Sequence, residues 1–119
     1  MNEQGKSPEE SPVDLAEALE DAGNDRGFLK ELFAQLIIDY PQYLEKIAQG
    51  VEEKDFEKVI FNAHTLKGAV KALSAKKAQG LAARLEEMGR NNEIDNVRGV
   101  IKELRTEMQR LEEWARSLE

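Results

Sequence analysis

The chain contains one histidine, His64, and two lysines and a glycine follow it at helical spacing. Lys67 and Lys71 lie three and seven residues further on, so a helix places both ammonium groups on the face of the imidazole. Gly68, one turn along, leaves that face without a side chain. A neutral imidazole is a nucleophile toward phosphorus, and ammonium groups stabilise charge on phosphoryl oxygens. The pattern therefore indicates an exposed histidine that accepts a phosphoryl group.

Other chemistry at His64 lacks the residues that it needs. The chain has no second histidine and no cysteine to complete a zinc site. General-base catalysis needs a nucleophile and a cleft, and the helical pattern supplies neither. A surface histidine beside lysines can also be functionless, because an exposed helix face is usually just solvated charge. Gly68 favours a function, since glycine inside a helix costs about 0.5–1 kcal/mol relative to alanine and a closely approaching partner explains that cost.

The helix that carries His64 is predicted from about Asp55 to Leu73. At about 100° per residue, its apolar stripe consists of Val59, Ala63, Leu66, Val70 and Leu73. His64 points away from this stripe, toward solvent. Ile60 and Phe61 flank the histidine on the outward side and are expected to form an apolar docking patch. For Ile60, packing against a neighbouring helix is an equal alternative.

Apolar residues recur at helical spacing along most of the chain, and no segment alternates as a strand does. The prediction is an all-α protein, an up-and-down four-helix bundle with a short additional N-terminal helix. Residues 1–11 are expected to be a disordered tail, and residues 12–119 the bundle. The expected boundaries, from caps and breakers, are Pro12 to Gly23; Asn24 or Asp25 to Gly50, bent or split at Pro41; Asp55 to Leu73; a Ser74 cap to Gly89 and Asn91-Asn92; and Glu93–Asp95 to near Glu119.

Composition narrows the class of protein further. The net charge of −7 argues against nucleic acid or an anionic membrane as the main partner. No apolar run approaches the roughly 20 residues that span a bilayer, and the first residues lack the apolar core of a signal peptide. A monomeric cytoplasmic protein is expected.

The motif resembles a known family signature. It reads Ala63-His64-Thr65-Leu66-Lys67-Gly68-Ala69, then Leu73-Ser74-Ala75, and is similar to the A-H-x-L-K-G-A and L-G-A elements of histidine phosphotransfer (HPt) domains. The layout of the helices extends the resemblance to residues 13–118. Two positions depart from the family: Ser74 stands where glycine is frequent, and Lys71 where a small residue is common.

The resemblance implies a role for each residue of the motif. His64 would accept the phosphoryl group, its Nε2 attacking the aspartyl phosphate of a response-regulator receiver domain, and would pass the group to another receiver. Lys67 would hold the phosphoryl group, and Gly68 would leave room for the receiver. Lys71 would add a second charge for the phosphate or narrow the set of receivers that dock. The chain would not be a kinase and would have no cofactor of its own, because the receiver supplies Mg²⁺.

Some questions stay open at this stage. A hybrid sensor histidine kinase would stand upstream, but the sequence identifies neither it nor the receivers. Glu86 or Arg90 could place a polar group beside the imidazole, although the sequence does not determine the rotation of their helix. A different class of function is a non-catalytic helical adaptor or dimerisation protein, with the heptads of the last helix as its interface and Trp114 as an anchor. A degenerate HPt domain that docks receivers without carrying phosphate is a third hypothesis.

Overall fold

The computed structural model describes residues 11–118, and within this range the chain forms five helices and no strand. They are α1 (Leu15–Asp21), α2 (Arg26–Glu53), α3 (Phe56–Ala72), α4 (Lys76–Arg90) and α5 (Val97–Arg116). Helices α2 to α5 form a closed bundle in which α3 packs between α2 and α4, and α5 packs against α2 and α4. The short α1 packs on α2. The predicted fold class is confirmed, while residues 1–10 of the predicted tail lie outside the described residues.

The core consists of the apolar stripes that the helical periodicity predicts. Each stripe turns inward because burying apolar surface is the main driving force of folding. The stripe of the histidine helix is buried in full: Val59, Ala63, Leu66, Val70 and Leu73. So are the predicted inner residues of α4: Ala78, Leu81, Ala82, Leu85 and Met88. The heptad residues of α5 that are buried are Val97, Ile101, Leu104, Met108 and Leu111. No helix of residues 11–118 has the length and apolar composition needed to cross a membrane.

Side-chain caps explain where three of the helices begin. Asp25 accepts a hydrogen bond from the backbone N–H of Phe28, and Asp55 accepts one from that of Lys58. Both caps satisfy donors of a first turn that have no partner within the helix, and both agree with the predicted starts of α2 and α3. The start at Pro12 is wrong: α1 begins at Leu15, because Asp14 is the residue that caps it.

Helix α2 continues without interruption through Pro41, so of the two predicted outcomes, a bend or a split, the split is wrong. A proline inside a helix removes one backbone hydrogen bond and costs about 3 kcal/mol. Buried apolar side chains lie on both sides of it, and their packing against the bundle offsets that cost: Leu36, Tyr40, Leu44 and Ile47. The last helix also differs from the prediction, since α5 begins at Val97, after Asn96, and not at 93–95.

Gly50, predicted to end α2, instead lies inside it, whereas α4 ends at Arg90, within the stretch where the sequence predicts its end. A Cβ atom on Gly50 in α2 would lie 2.8 Å from Val59 Cγ2 and 3.0 Å from the backbone oxygen of Asp55. A Cβ atom on Gly89 in α4 would lie 2.9 Å from Ile60 Cγ1. Both glycines therefore allow a flanking helix to approach the first turns of α3 closely.

Ser74 does not cap α4, contrary to the prediction. The residue before α4 is Ala75, and no side chain caps this helix. Ser74 is buried and adopts φ +56°, in the left-handed region, and its carbonyl oxygen accepts a hydrogen bond from the backbone N–H of Asp14. Glycine adopts this conformation without steric cost. This explains why the L-G-A element, which Leu73-Ser74-Ala75 resembles, has glycine at the position of Ser74.

Replacing Gly50 with alanine is expected to lower the free energy of unfolding by roughly 1–3 kcal/mol, because the methyl group overpacks against Val59 and the backbone at Asp55. Chemical denaturation measures the change. Gly80→Ala on α4 is the matched control: a Cβ atom there meets nothing within 4 Å, so we expect a gain of roughly 0.5–1 kcal/mol. Equal stabilities of the two variants would contradict the close contact between α2 and α3.

Candidate functional site

His64 lies on the outward face of α3, as the periodicity predicts. Its side chain is 65% exposed, whereas its neighbour Ala63 is fully buried. The imidazole borders an open groove of about 330 Å³ between α3 and α4. The residues lining the groove are Glu57, Ile60, Phe61, His64, Glu86 and Arg90. The only histidine of the chain is therefore accessible to a macromolecular partner.

A buried carboxylate from α4 holds the imidazole. Glu86 Oε2 lies 3.1 Å from His64 Nδ1, and the Glu86 side chain is only 4% exposed. Glu86 shares a helix face with Ala82 and Gly89, four residues before it and three after. Because these residues are small, α4 packs close to α3, and the Glu86 side chain is covered by the contact between the two helices.

Two cations neutralise this carboxylate. Lys67 Nζ lies 2.8 Å from Glu86 Oε1, and Arg90 Nη2 lies 2.8 Å from Glu86 Oε2. Burial alone would raise the pKa of Glu86, but hydrogen bonds from Lys67, Arg90 and His64 outweigh it and lower the pKa to about 2. A buried charge is stable only when it is paired and hydrogen-bonded. Glu86 is thus an ionised acceptor at physiological pH.

The contact with Glu86 selects the tautomer of His64. An ionised carboxylate can only accept hydrogen bonds, so Nδ1 of the neutral ring must carry the proton. The lone pair then lies on Nε2, the ring nitrogen that is not engaged by Glu86. The arrangement leaves a nucleophilic nitrogen on an exposed ring. Carboxylates orient the histidines of metal sites and catalytic triads in the same way, by accepting a hydrogen bond from one ring nitrogen.

The other residues of the predicted site share this face in different ways. Lys67 is 30% exposed and held by Glu86. Gly68 is exposed, and a Cβ atom there would meet nothing within 4 Å, so the surface beside His64 is open. Lys71 is exposed, and no ion pair joins it to another residue of the range 11–118. Glu86 thus contacts both the imidazole and Lys67, whereas Lys71 does not take part in this cluster.

Comparison with known proteins assigns the family. Residues 31–114, which include most of α2 and all of α3 and α4, match the family model of the Hpt domain. The chain belongs to the Hpt domain family. Hpt domains transfer phosphoryl groups on histidine in phosphorelays, and they are phosphocarriers, not kinases. No curated protein and no solved structure matches the chain.

The predicted docking residues of this Hpt domain lie at the edge of the groove. Phe61 is 69% exposed, the largest exposed fraction among the exposed large apolar side chains of residues 11–118. Ile60 is partly buried, with Cγ1 directly over Gly89 of α4. The structure therefore gives Ile60 both of the environments that the sequence left open, since it packs on α4 and also lines the groove.

Glu86 is the site residue that sequence reasoning named but did not assign. Its local signal is weak, because one glutamate on an amphipathic helix resembles any solvated acid. The informative feature is its position between Ala82 and Gly89, two small residues on one face. Small residues at such spacing indicate a face along which helices approach closely, and a charged residue within that face must have partners.

We expect the stability of this Hpt domain to depend on the ionisation of Glu86. The folded pKa of about 2 lies below the ordinary value of 4.5, so the ionised form stabilises the fold above pH 4.5, and this contribution is lost as the pH falls toward 2. The difference in unfolding free energy between the parent and Glu86→Gln should therefore be constant at neutral pH and shrink over that range. Chemical denaturation in a pH series measures it, and circular dichroism at neutral pH verifies that the variant is folded. A difference independent of pH would contradict an ionised buried Glu86.

Proposed function

We propose that this chain is a phosphorelay carrier in which His64 accepts a phosphoryl group from a receiver-domain aspartate and passes it to a second receiver. The observation that carries the proposal is the contact between His64 Nδ1 and buried Glu86, which directs the lone pair of Nε2 outward on an exposed ring. Family membership supports the same class of function.

The transfer step balances with the groups at hand. The Nε2 lone pair attacks phosphorus, the N–P bond forms, and the P–O bond to the donor aspartate breaks, with its electron pair staying on the carboxylate that leaves. The imidazole ring, which retains its proton on Nδ1, becomes positive, and Glu86 stabilises that charge. In the next step a second aspartate attacks phosphorus, and Nε2 leaves with the electron pair of the N–P bond. The receivers supply Mg²⁺ in both steps.

Lys67 is the residue that we assign to the phosphoryl oxygens. It lies one helical turn from His64, and the side chains of a helix lean toward its N-terminus, which directs the ammonium toward the imidazole. Glu86 holds the ammonium group in place without burying it, since Lys67 keeps 30% of its side-chain surface. A charge held beside developing phosphoryl charge lowers the barrier because little reorganisation is needed.

The docking surface for receivers, in this proposal, is formed by Gly68, Phe61 and Ile60 around the imidazole. Gly68 lets the partner backbone approach, because the surface there is open. Phe61 supplies an exposed aromatic anchor, the residue class that contributes most to interface energies. The hybrid sensor kinase upstream, the cytoplasmic location and the monomeric state stay predictions.

The adaptor hypothesis depends on the heptad residues of α5 being free to bind a partner helix. The heptad residues of α5 from Val97 to Leu111 are buried in the bundle and not free for a partner helix. Trp114 packs edge-on against Phe33, with 5.4 Å between the ring centroids and 63° between the ring planes. Both features are used by the fold of the chain itself, so phosphoryl transfer is the function that the geometry supports best.

Incubation with phosphorylated receiver domains tests the proposal. We expect acid-labile, base-stable label on the chain, and no label on His64→Gln, because glutamine offers no ring nitrogen to attack phosphorus. Thermal unfolding controls for the fold of the variant, which should be close to that of the parent because His64 is mainly exposed. Absence of label on the parent with every receiver of the host would support a degenerate Hpt domain and reject the proposal.

Comparing alanine variants of Gly68 and Gly80 distinguishes an effect on receiver docking from an effect on stability. Gly68→Ala and Gly80→Ala both add a methyl group to an exposed helical position where nothing lies within 4 Å, so each should raise unfolding free energy by roughly 0.5–1 kcal/mol. Only Gly68→Ala should slow transfer at low receiver concentration, by about tenfold, which corresponds to about 1.4 kcal/mol of docking free energy. Equal transfer rates for the two variants would exclude close approach of the receiver at Gly68.

A further inference from the structure

Lys71 differs from the other cations around His64. Lys67 and Arg90 both pair with the buried Glu86 carboxylate, which holds both of them beside the imidazole. Lys71 is exposed and forms no ion pair with a carboxylate of residues 11–118. It is therefore a cation of this face that no carboxylate of the described residues holds, and its ammonium group can pair with a carboxylate of a partner.

The position of Lys71 along α3 relates it to Gly68 more than to His64. The helix rises about 1.5 Å per residue, so Lys71 lies about 10.5 Å from His64 along the axis, whereas Lys67 lies one turn away. Side chains lean toward the N-terminus of a helix, and a residue covers the turn that precedes it. The turn that precedes Lys71 contains Gly68, where the surface is open. The ammonium group therefore borders the space that a docked partner enters.

A partner that contacts Gly68 must remove water from this ammonium group. Desolvating a charge without a counter-charge is unfavourable, so an apolar or basic partner surface is penalised at this point. An acidic side chain of the partner offsets the cost and also accelerates encounter. The chain as a whole carries a net charge of −7, so an acidic partner gains attraction only through local cations such as Lys71.

We propose that Lys71 selects the receivers that this carrier serves, by pairing with an acidic side chain on the receiver surface that meets Gly68. The inference rests on the proposed function, and it assigns Lys71 to docking and not to the phosphoryl group itself. The lysine acts as a discriminating contact: it favours receivers with an acid at the facing position and penalises those with a lysine, arginine or apolar residue there.

Transfer kinetics with a panel of acetyl phosphate-treated receiver domains test this assignment. For the receiver that reacts fastest with the parent, Lys71→Glu should raise the half-saturating receiver concentration by about tenfold, and the increase should diminish between about 0.05 and 0.5 M salt. The rate at saturation should change by less than about twofold. Lys102→Glu on α5, which changes the net charge equally, should behave as the parent. Replacing each exposed acid around the phosphorylation pocket of that receiver with lysine should identify one position that restores docking of Lys71→Glu.

Three results overturn the inference. A lower saturating rate with an unchanged half-saturating concentration would make Lys71 a phosphate ligand, and unchanged kinetics would remove it from the interface. Docking is also measured by calorimetry with the beryllofluoride-activated receiver in the His64→Gln background, where no transfer occurs. A loss of docking with Lys71→Glu in that background supports the inference even if the parent takes up no label, and that absence of label rejects only the proposed function. Failure of every receiver to dock rejects both.

Discussion

The structure depends on one buried carboxylate, Glu86, which lies between α3 and α4 and is engaged by His64, Lys67 and Arg90. A charge in such a place costs several kcal/mol unless its partners are well positioned. The partners come from both helices, so the interaction that makes the burial tolerable also aligns α4 with α3. Fold and site are therefore coupled here: the orientation of the reactive ring and the packing of two helices have the same cause.

The sequence was sufficient to predict which face of its helix each site residue of α3 occupies. The exposure of His64 follows from its angle to the buried stripe of α3, because the positions of side chains around a helix are determined by local geometry. The assignment of Glu86 to Nδ1 requires the rotation of α4 against α3. That rotation involves contacts between residues far apart in the chain, such as Gly89 with Ile60, so the periodicity of α4 alone does not predict it.

The wrong boundary predictions have a common physical origin. The local conformational preferences of glycine and serine predict helix stops and helix caps. Gly50 instead serves packing, and Ser74 is held in a left-handed turn by its surroundings. Pro41 is a similar case, because the cost of its missing hydrogen bond is offset by burial on both sides. Tertiary contacts override local preference wherever the same residue can meet either need.

The two close approaches at Gly50 and Gly89 have a mechanical consequence for α3. The first turns of this helix pack closely against α2 at Gly50 and against α4 at Gly89. Its apolar stripe is buried as far as Leu73, while the surface at Gly68 is open. The helix is thus packed along its whole length, and Glu86 of the neighbouring helix holds the imidazole. The conformational entropy of this helix is lost when the chain folds, so little more is lost at each encounter with a partner. A site that is ordered before binding suits a phosphorelay carrier, because the donor and the acceptor receiver domains must both reach the same nitrogen atom of His64.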